Sequence, residues 1–282
     1  MNLTVLLIGD GPFANHMAKR FTEKGFSIIM TTIKEQNVDT IRSNGYIPIY
    51  SGNLHKDGCK KIHEQCMSIL KDYSLVLKYI VHTARKSFYE YSLKVEHDAD
   101  TGHDIYCEIE ELEPSDEVKD EMFKVNSLSP ESIARYFADL DCQFIYITSC
   151  ATAGFPRNLS HNAFEKKDGE KVGTHAIKYY AYTKRLGEES LYKFFEETDN
   201  LSLLTLAYIS IMLGTNFYTD MGIPDPVFLE GFWTAERTAI YITDKILKGK
   251  KRIYPGWQSK SMGIAPRALN AKVLDNQKWL SD

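Results

Sequence analysis

Residues 3–21 read LTVLLIGDGPFANHMAKRF. A continuous apolar run ends in glycine, a short turn follows, and apolar residues then recur at helical spacing. The run from Leu3 to Gly9 has the pattern of a central parallel strand, buried on both faces. Ala14, Met17, Ala18 and Phe21 share one face of the expected helix, and Gly25 stops it. FSIIMTT (26–32) reads as the next strand, completing a βαβ unit. Its first turn carries Gly9-x-Gly11-x-x-Ala14, with Pro12 and Phe13 stiffening and filling it. Glycines at that spacing let backbone approach a pyrophosphate, which sits on the amides and dipole of the helix N-terminus. A plain strand–helix turn is the competing reading. The end of the second strand holds Thr31, Thr32 and Lys34, with no carboxylate before Glu35. An acidic residue there would favour a ribose 2′-hydroxyl. Its absence, with hydroxyls and a lysine, favours NADP(H) over NAD(H).

The alternation continues. GYIPIYSGNL (45–54) reads as a third strand and SLVLKYIVHTA (74–84) as a fourth. FKVNSLSPESIARYFADL (123–140) reads as a helix and CQFIYITSCATAG (142–154) as a fifth strand. HAIKYYAYTKRLGEESLYKFFEE (175–197) reads as a long helix and LSLLTLAYISIM (201–212) as a sixth strand. Strands alternating with helices specify an α/β fold, a doubly wound parallel sheet, here one domain over residues 1–282. Ligands in that architecture bind beyond the carboxyl ends of the strands, where Ser149 falls.

Composition agrees with an ordinary globular chain: 43% hydrophobic, 26% charged, net charge −4 and pI near 6.1. That balance implies no general attraction to nucleic acid. The five cysteines at 59, 66, 107, 142 and 150 form no C-x-x-C pair and read as reduced thiols of a cytoplasmic protein. The apolar start lacks a basic flank, so it reads as a strand rather than a signal peptide, and no run is long enough for a bilayer.

YYAYTK (179–184) places Tyr180 one helical turn before Lys184. A nearby ammonium favours phenolate, which suits a phenol to general acid–base work. Together, the glycine turn, VNS at 125–127, ITS at 147–149 and Y-x-x-x-K resemble the short-chain dehydrogenase/reductase family in its single-domain form. The likeness runs from Leu3 to about Pro255. It implies a tetrad of Asn126, Ser149, Tyr180 and Lys184. Tyr180 would exchange a proton with a carbonyl or alcohol oxygen while nicotinamide exchanges hydride with the carbon. The resemblance further implies that Lys184 lowers the tyrosine pKa and holds the ribose. Ser149 would bind the substrate oxygen, and Asn126 would hold a relay water. It also implies a homodimer or homotetramer, acting on a small carbonyl or alcohol substrate, with no nucleic-acid or membrane partner.

The chain departs from that family's pattern in several places. The glycine loop is one residue short. The fourth strand ends His82-Thr83-Ala84-Arg85 where the family has N-N-A-G; Thr83 and Ala84 remain candidate cofactor contacts, and Arg85 must point elsewhere or reach a phosphate. Asn53 stands where an aspartate often meets adenine. The family's P-G after the sixth strand is missing. Residues 86–122 form an acidic insertion, expected to be a solvated loop or short helix because Val95–Glu121 holds twelve acidic residues and one lysine. A second, polar insertion spans 156–173, and an aromatic-rich substrate lid is expected at 214–234. A nucleotide-binding sensor or scaffold with little turnover is the alternative function; an epimerase or dehydratase with tightly held cofactor is a third.

Overall fold

The computed structural model describes residues 2–87, 91–97, 104–111, 114–150, 152, 175–209, 212 and 233–256. The 156–173 insertion and almost all of the 214–234 lid lie outside them.

Seven strands form one parallel sheet: β1 (Asn2–Ile8), β2 (Ser27–Thr32), β3 (Ile47–Tyr50), β4 (Leu75–His82), β7 (Gln143–Ser149), β8 (Leu204–Ile209) and β9 (Arg252–Ile253). Their spatial order is β3-β2-β1-β4-β7-β8-β9. The order reverses between β1 and β4, the switch point where such sheets open a crevice. Helices α1 (Pro12–Glu23), α2 (Asn37–Ser43), α3 (Lys56–Asp72), α4 (Asp116–Phe123), α5 (Ser129–Tyr136), α6 (His175–Glu197) and α7 (Ala235–Leu247) cover the sheet.

The two faces follow from the pleat of β1. Leu6 and Ile8 point into one core with Ile62, Cys66, Ile133 and Phe194 of α3, α5 and α6. Val5 and Leu7 point into the other with Met17, Phe21, Ile242 and Ile246 of α1 and α7. Successive side chains on a strand alternate faces, so an unbroken apolar run is what a doubly covered strand requires. On the second face, Arg20 ties α1 to α7 by donating from Nε and Nη2 to both carboxylate oxygens of Asp244, each at 3.0 Å. Cys59, Cys66, Cys142 and Cys150 are buried thiols, and burial pushes those of Cys66 and Cys142 up to about 12. Among the described residues, no helix is long and apolar enough to cross a membrane.

Two sequence expectations are corrected. The acidic insertion is not only loop and helix: α4 is present, but β5 (Tyr91–His97) and β6 (Asp104–Glu111) pair antiparallel in a sheet of their own. Ile105, Cys107 and Ile109 alternate with polar residues along β6, a period-two pattern concealed beneath the acidic composition. The helix expected over 123–140 is interrupted. Lys124–Leu128 forms a π turn between α4 and α5, a feature that often marks functional sites.

Helix α6 approaches that π turn closely at Gly187. A Cβ there would lie 2.4 Å from the Asn126 carbonyl oxygen and 2.8 Å from the Tyr146 hydroxyl. Glycine is weak in a helix interior, and this close backbone approach explains its presence. Gly187→Ala is expected to lower the unfolding free energy by about 1–3 kcal/mol through overpacking, measured by urea denaturation.

Candidate active site

The carboxyl edge at the β1–β4 switch point opens into a cavity of about 550 Å³. Of the residues that the sequence reading proposes as cofactor contacts, Gly9, Gly11, Pro12, Phe13, Ala14, Thr31, Asn53, Thr83 and Ala84 line it. Gly9 has φ of +112°, and a Cβ there would stand 2.9 Å from Thr83 Oγ1 and 3.2 Å from the Ala84 nitrogen. Only glycine fits that turn. Its amide donates to Thr31 Oγ1 at 3.0 Å, joining the turn to β2. Gly11 caps α1, and nothing stands within 4 Å of where its Cβ would be. No side chain caps the helix and no acidic residue occupies its first turn. These features suit an anionic group approaching the helix N-terminus. Phe13 is 8% exposed and Ala14 is buried, so both also serve the core beneath the turn.

Thr32 and Lys34 are not part of the lining. Thr32 Oγ1 accepts from the Lys34 amide and donates to the Lys34 carbonyl, so the hydroxyl closes its own loop. Lys34 is exposed, and Ile33 lines the cavity instead. Thr83 Oγ1 donates to the Ile8 carbonyl at 2.8 Å, which locks the β4 exit to β1. Asn53 Oδ1 accepts from the His55 amide at 2.9 Å.

None of the four tetrad candidates is among the described residues that line this cavity. Lys184 is buried, and its Nζ donates to the carbonyls of Ala84 at 3.3 Å and Ile147 at 3.2 Å. Both carbonyls belong to residues of the cavity wall. The ammonium also lies over the Tyr146 ring, 4.7 Å from its centroid. Burial, then the charge of Arg85, lowers the Lys184 pKa from 10.5 to about 7, against the pull of Glu188.

Tyr180 is 6% exposed. Burial raises its pKa, and the cation opposing that rise is Arg85, whose side chain hydrogen-bonds the phenol. The sequence reading gave that role to Lys184. The structure corrects it: one helical turn places Lys184 near in sequence, but its amine is drawn to two carbonyls. Arg85 lines the cavity and links it to Tyr180.

Asn126 is fully buried in the π turn, and its side chain is fully engaged. Oδ1 accepts from the Lys86 amide at 3.0 Å, while Nδ2 donates to the Lys86 carbonyl at 2.7 Å and to Thr183 Oγ1 at 3.1 Å. Its backbone carbonyl accepts from the Tyr146 hydroxyl at 2.6 Å. It therefore ties the β4 exit to α6, and the relay water implied by the resemblance finds these groups already paired. Ser149 ends β7, where its carbonyl accepts from Thr152 Oγ1 at 2.8 Å. His82 is buried and bonded through Nε2 to Ser129 Oγ at 3.0 Å, and burial holds its pKa well below the usual value.

Glu188 escaped the sequence reading. It is buried, and it accepts from Thr148 Oγ1, from Thr152 Oγ1 at 2.7 Å and from the Tyr208 hydroxyl at 3.5 Å. Its spacing of four from Lys184 was the available signal, because i and i+4 share a helix face.

No family model matches the chain, and no curated protein matches it in sequence. Solved structures do. A short-chain dehydrogenase from Streptomyces avermitilis is 12% identical with a TM-score of 0.64, over 100% of this chain and 97% of that one. A short-chain dehydrogenase/reductase from Burkholderia multivorans, solved with bound NADP, is 13% identical with a TM-score of 0.56, over 90% and 94%. A short-chain oxidoreductase from Clostridium thermocellum is 15% identical with a TM-score of 0.59, over 90% of each chain.

Two outcomes are expected. Arg85→Gln should raise the Tyr180 pKa further, because an opposite charge at hydrogen-bond range favours phenolate. NMR of tyrosine labelled at Cζ, assigned with Tyr180→Phe, measures it. For Lys184, the unfolded chain holds its proton up to 10.5 while the folded chain releases it at about 7. Lys184 therefore makes stability rise with pH across that window. Lys184→Met should flatten the slope by about 1.4 kcal/mol per pH unit, as read from urea unfolding between those values. The chain has a Rossmann-type α/β fold, similar to that of these short-chain dehydrogenase and reductase structures.

Proposed function

We propose that this chain is a divergent short-chain dehydrogenase/reductase, an NAD(P)(H)-dependent oxidoreductase of carbonyls and secondary alcohols, working mainly as a reductase. The observation that carries this reading is the seat of Lys184. One turn from Tyr180 on α6, it bonds the backbone of Ala84 and Ile147, two residues that wall the cavity beside the Gly9 turn. The fold it shares with NADP-bound relatives supports the same reading.

A bound nicotinamide supplies or takes the hydride at the substrate carbon. Gly9, Gly11 and the first turn of α1 hold the dinucleotide's phosphates, while Asn53, Thr83 and Ala84 border the rest of it. In reduction, Tyr180 gives its hydroxyl proton to the carbonyl oxygen; in oxidation it takes that proton back. Arg85 stabilises the phenolate left behind. Ser149 donates to the substrate oxygen as charge builds there. Lys184 and Asn126 fix the wall and the helix that present the tyrosine.

The scaffold reading keeps one specific support, that the tetrad is not among the described residues of the lining. Tyr180→Phe separates the two. For an enzyme, turnover of a carbonyl panel should fall by about 10² or more, while the dinucleotide still raises the melting temperature by mass action. Undiminished turnover in the variant would remove the acid–base role from Tyr180.

A further inference from the structure

We propose that Asp10 selects the dinucleotide at this site, admitting NAD(H) and repelling the 2′-phosphate of NADP(H); the inference rests on the dinucleotide reading above. Asp10 lies between the two glycines of the turn and lines the cavity. Its Oδ2 accepts from Asn37 Nδ2 at 2.7 Å. Its carbonyl accepts from Asn15 Nδ2 at 2.8 Å, which pins the turn to α1. Asn37 opens α2, only five residues past the end of β2 at Thr32. The Asp10 carboxylate therefore bridges the loop after β1 and the segment after β2. In this architecture the ribose of the adenosine half lies at the end of β2, where a carboxylate accepts from its 2′-hydroxyl.

The sequence looks bare of acid at that point because β2 itself ends in threonines. The tertiary structure brings the acid from the neighbouring loop. Asn37 holds the carboxylate through Oδ2, and the residue remains in the cavity lining. A 2′-phosphate would instead meet a like charge inside a cleft, where water screens it poorly. The cations of the cleft and of the adjoining segment are engaged or lie elsewhere: Arg85 hydrogen-bonds the Tyr180 phenol and Lys86 pairs with Glu121 at 2.8 Å. Lys34 is exposed and outside the lining, and Arg42 of α2 is paired with Asp39 at 2.6 Å. On this proposal the chain prefers NAD(H), against the lean to NADP(H) drawn from the sequence.

The test is calorimetric titration of the full chain with NADH and NADPH, each with ADP-ribose or its 2′-phosphate as a probe lacking nicotinamide. The wild type should bind NADH at least about tenfold tighter than NADPH. Asp10→Asn, which keeps the shape and removes the charge, should close most of that gap, mainly by tightening NADPH. Asn37→Ala keeps the charge but frees the carboxylate, and it should retain an NADH preference at a smaller ratio. Wild-type binding of NADPH as tightly as NADH overturns the proposal, and so does a ratio that Asp10→Asn leaves unchanged. In both cases the dinucleotide reading survives. Binding of neither dinucleotide overturns that reading and this inference together.

Discussion

The hydrogen bond from the Tyr146 hydroxyl to the Asn126 carbonyl, 2.6 Å long and wholly buried, is the contact on which the packing behind the cavity depends. It joins a central strand to the π turn beneath α6. A π turn leaves backbone groups outside the regular helical ladder, and a buried carbonyl without a donor costs about 1–3 kcal/mol. Tyr146 supplies that donor. The same ring takes the Lys184 ammonium on its face and the edge of His82 at 5.8 Å. One aromatic side chain thus holds the turn, the lysine and the end of β4 in register, and Gly187 leaves the space that lets α6 close over them.

Charges enter this interior only with partners. Lys184 and Glu188 are both buried, one turn apart on α6, and each is surrounded by groups of the right polarity: carbonyls for the amine, hydroxyls for the carboxylate. Desolvation would otherwise dominate, and the drop of Lys184 to about 7 shows that partners offset it only in part. Arg85 behaves differently. Its side chain hydrogen-bonds the Tyr180 phenol and opposes the rise that burial imposes there.

Much of the site was legible in the sequence because it depends on local rules. Gly9 and Gly11 follow from the strand-to-helix turn. The Tyr180–Lys184 spacing follows from helical periodicity. Asn126 and Ser149 stand at element ends, where the alternation of strands and helices puts them. What escaped was non-local or masked by composition. Alternation in β6 was hidden under acidic residues. Glu188 is an unremarkable helical glutamate until Thr148, Thr152 and Tyr208 converge on it from elsewhere in the fold.

The sequence by itself determined the α/β class, the doubly covered parallel sheet and the residues facing the switch point. Side-chain alternation and helical period are properties of consecutive residues, and burial on both faces demands an unbroken apolar run. Only the tertiary structure decided which charge meets which group. Arg85 rather than Lys184 meets the Tyr180 phenol, and Asp10 meets Asn37 at the start of α2. Such pairings depend on distances across the carboxyl edge of the sheet, between loops far apart in the chain. Electrostatic interaction falls with distance in space, and neighbours in sequence have no privileged claim on it.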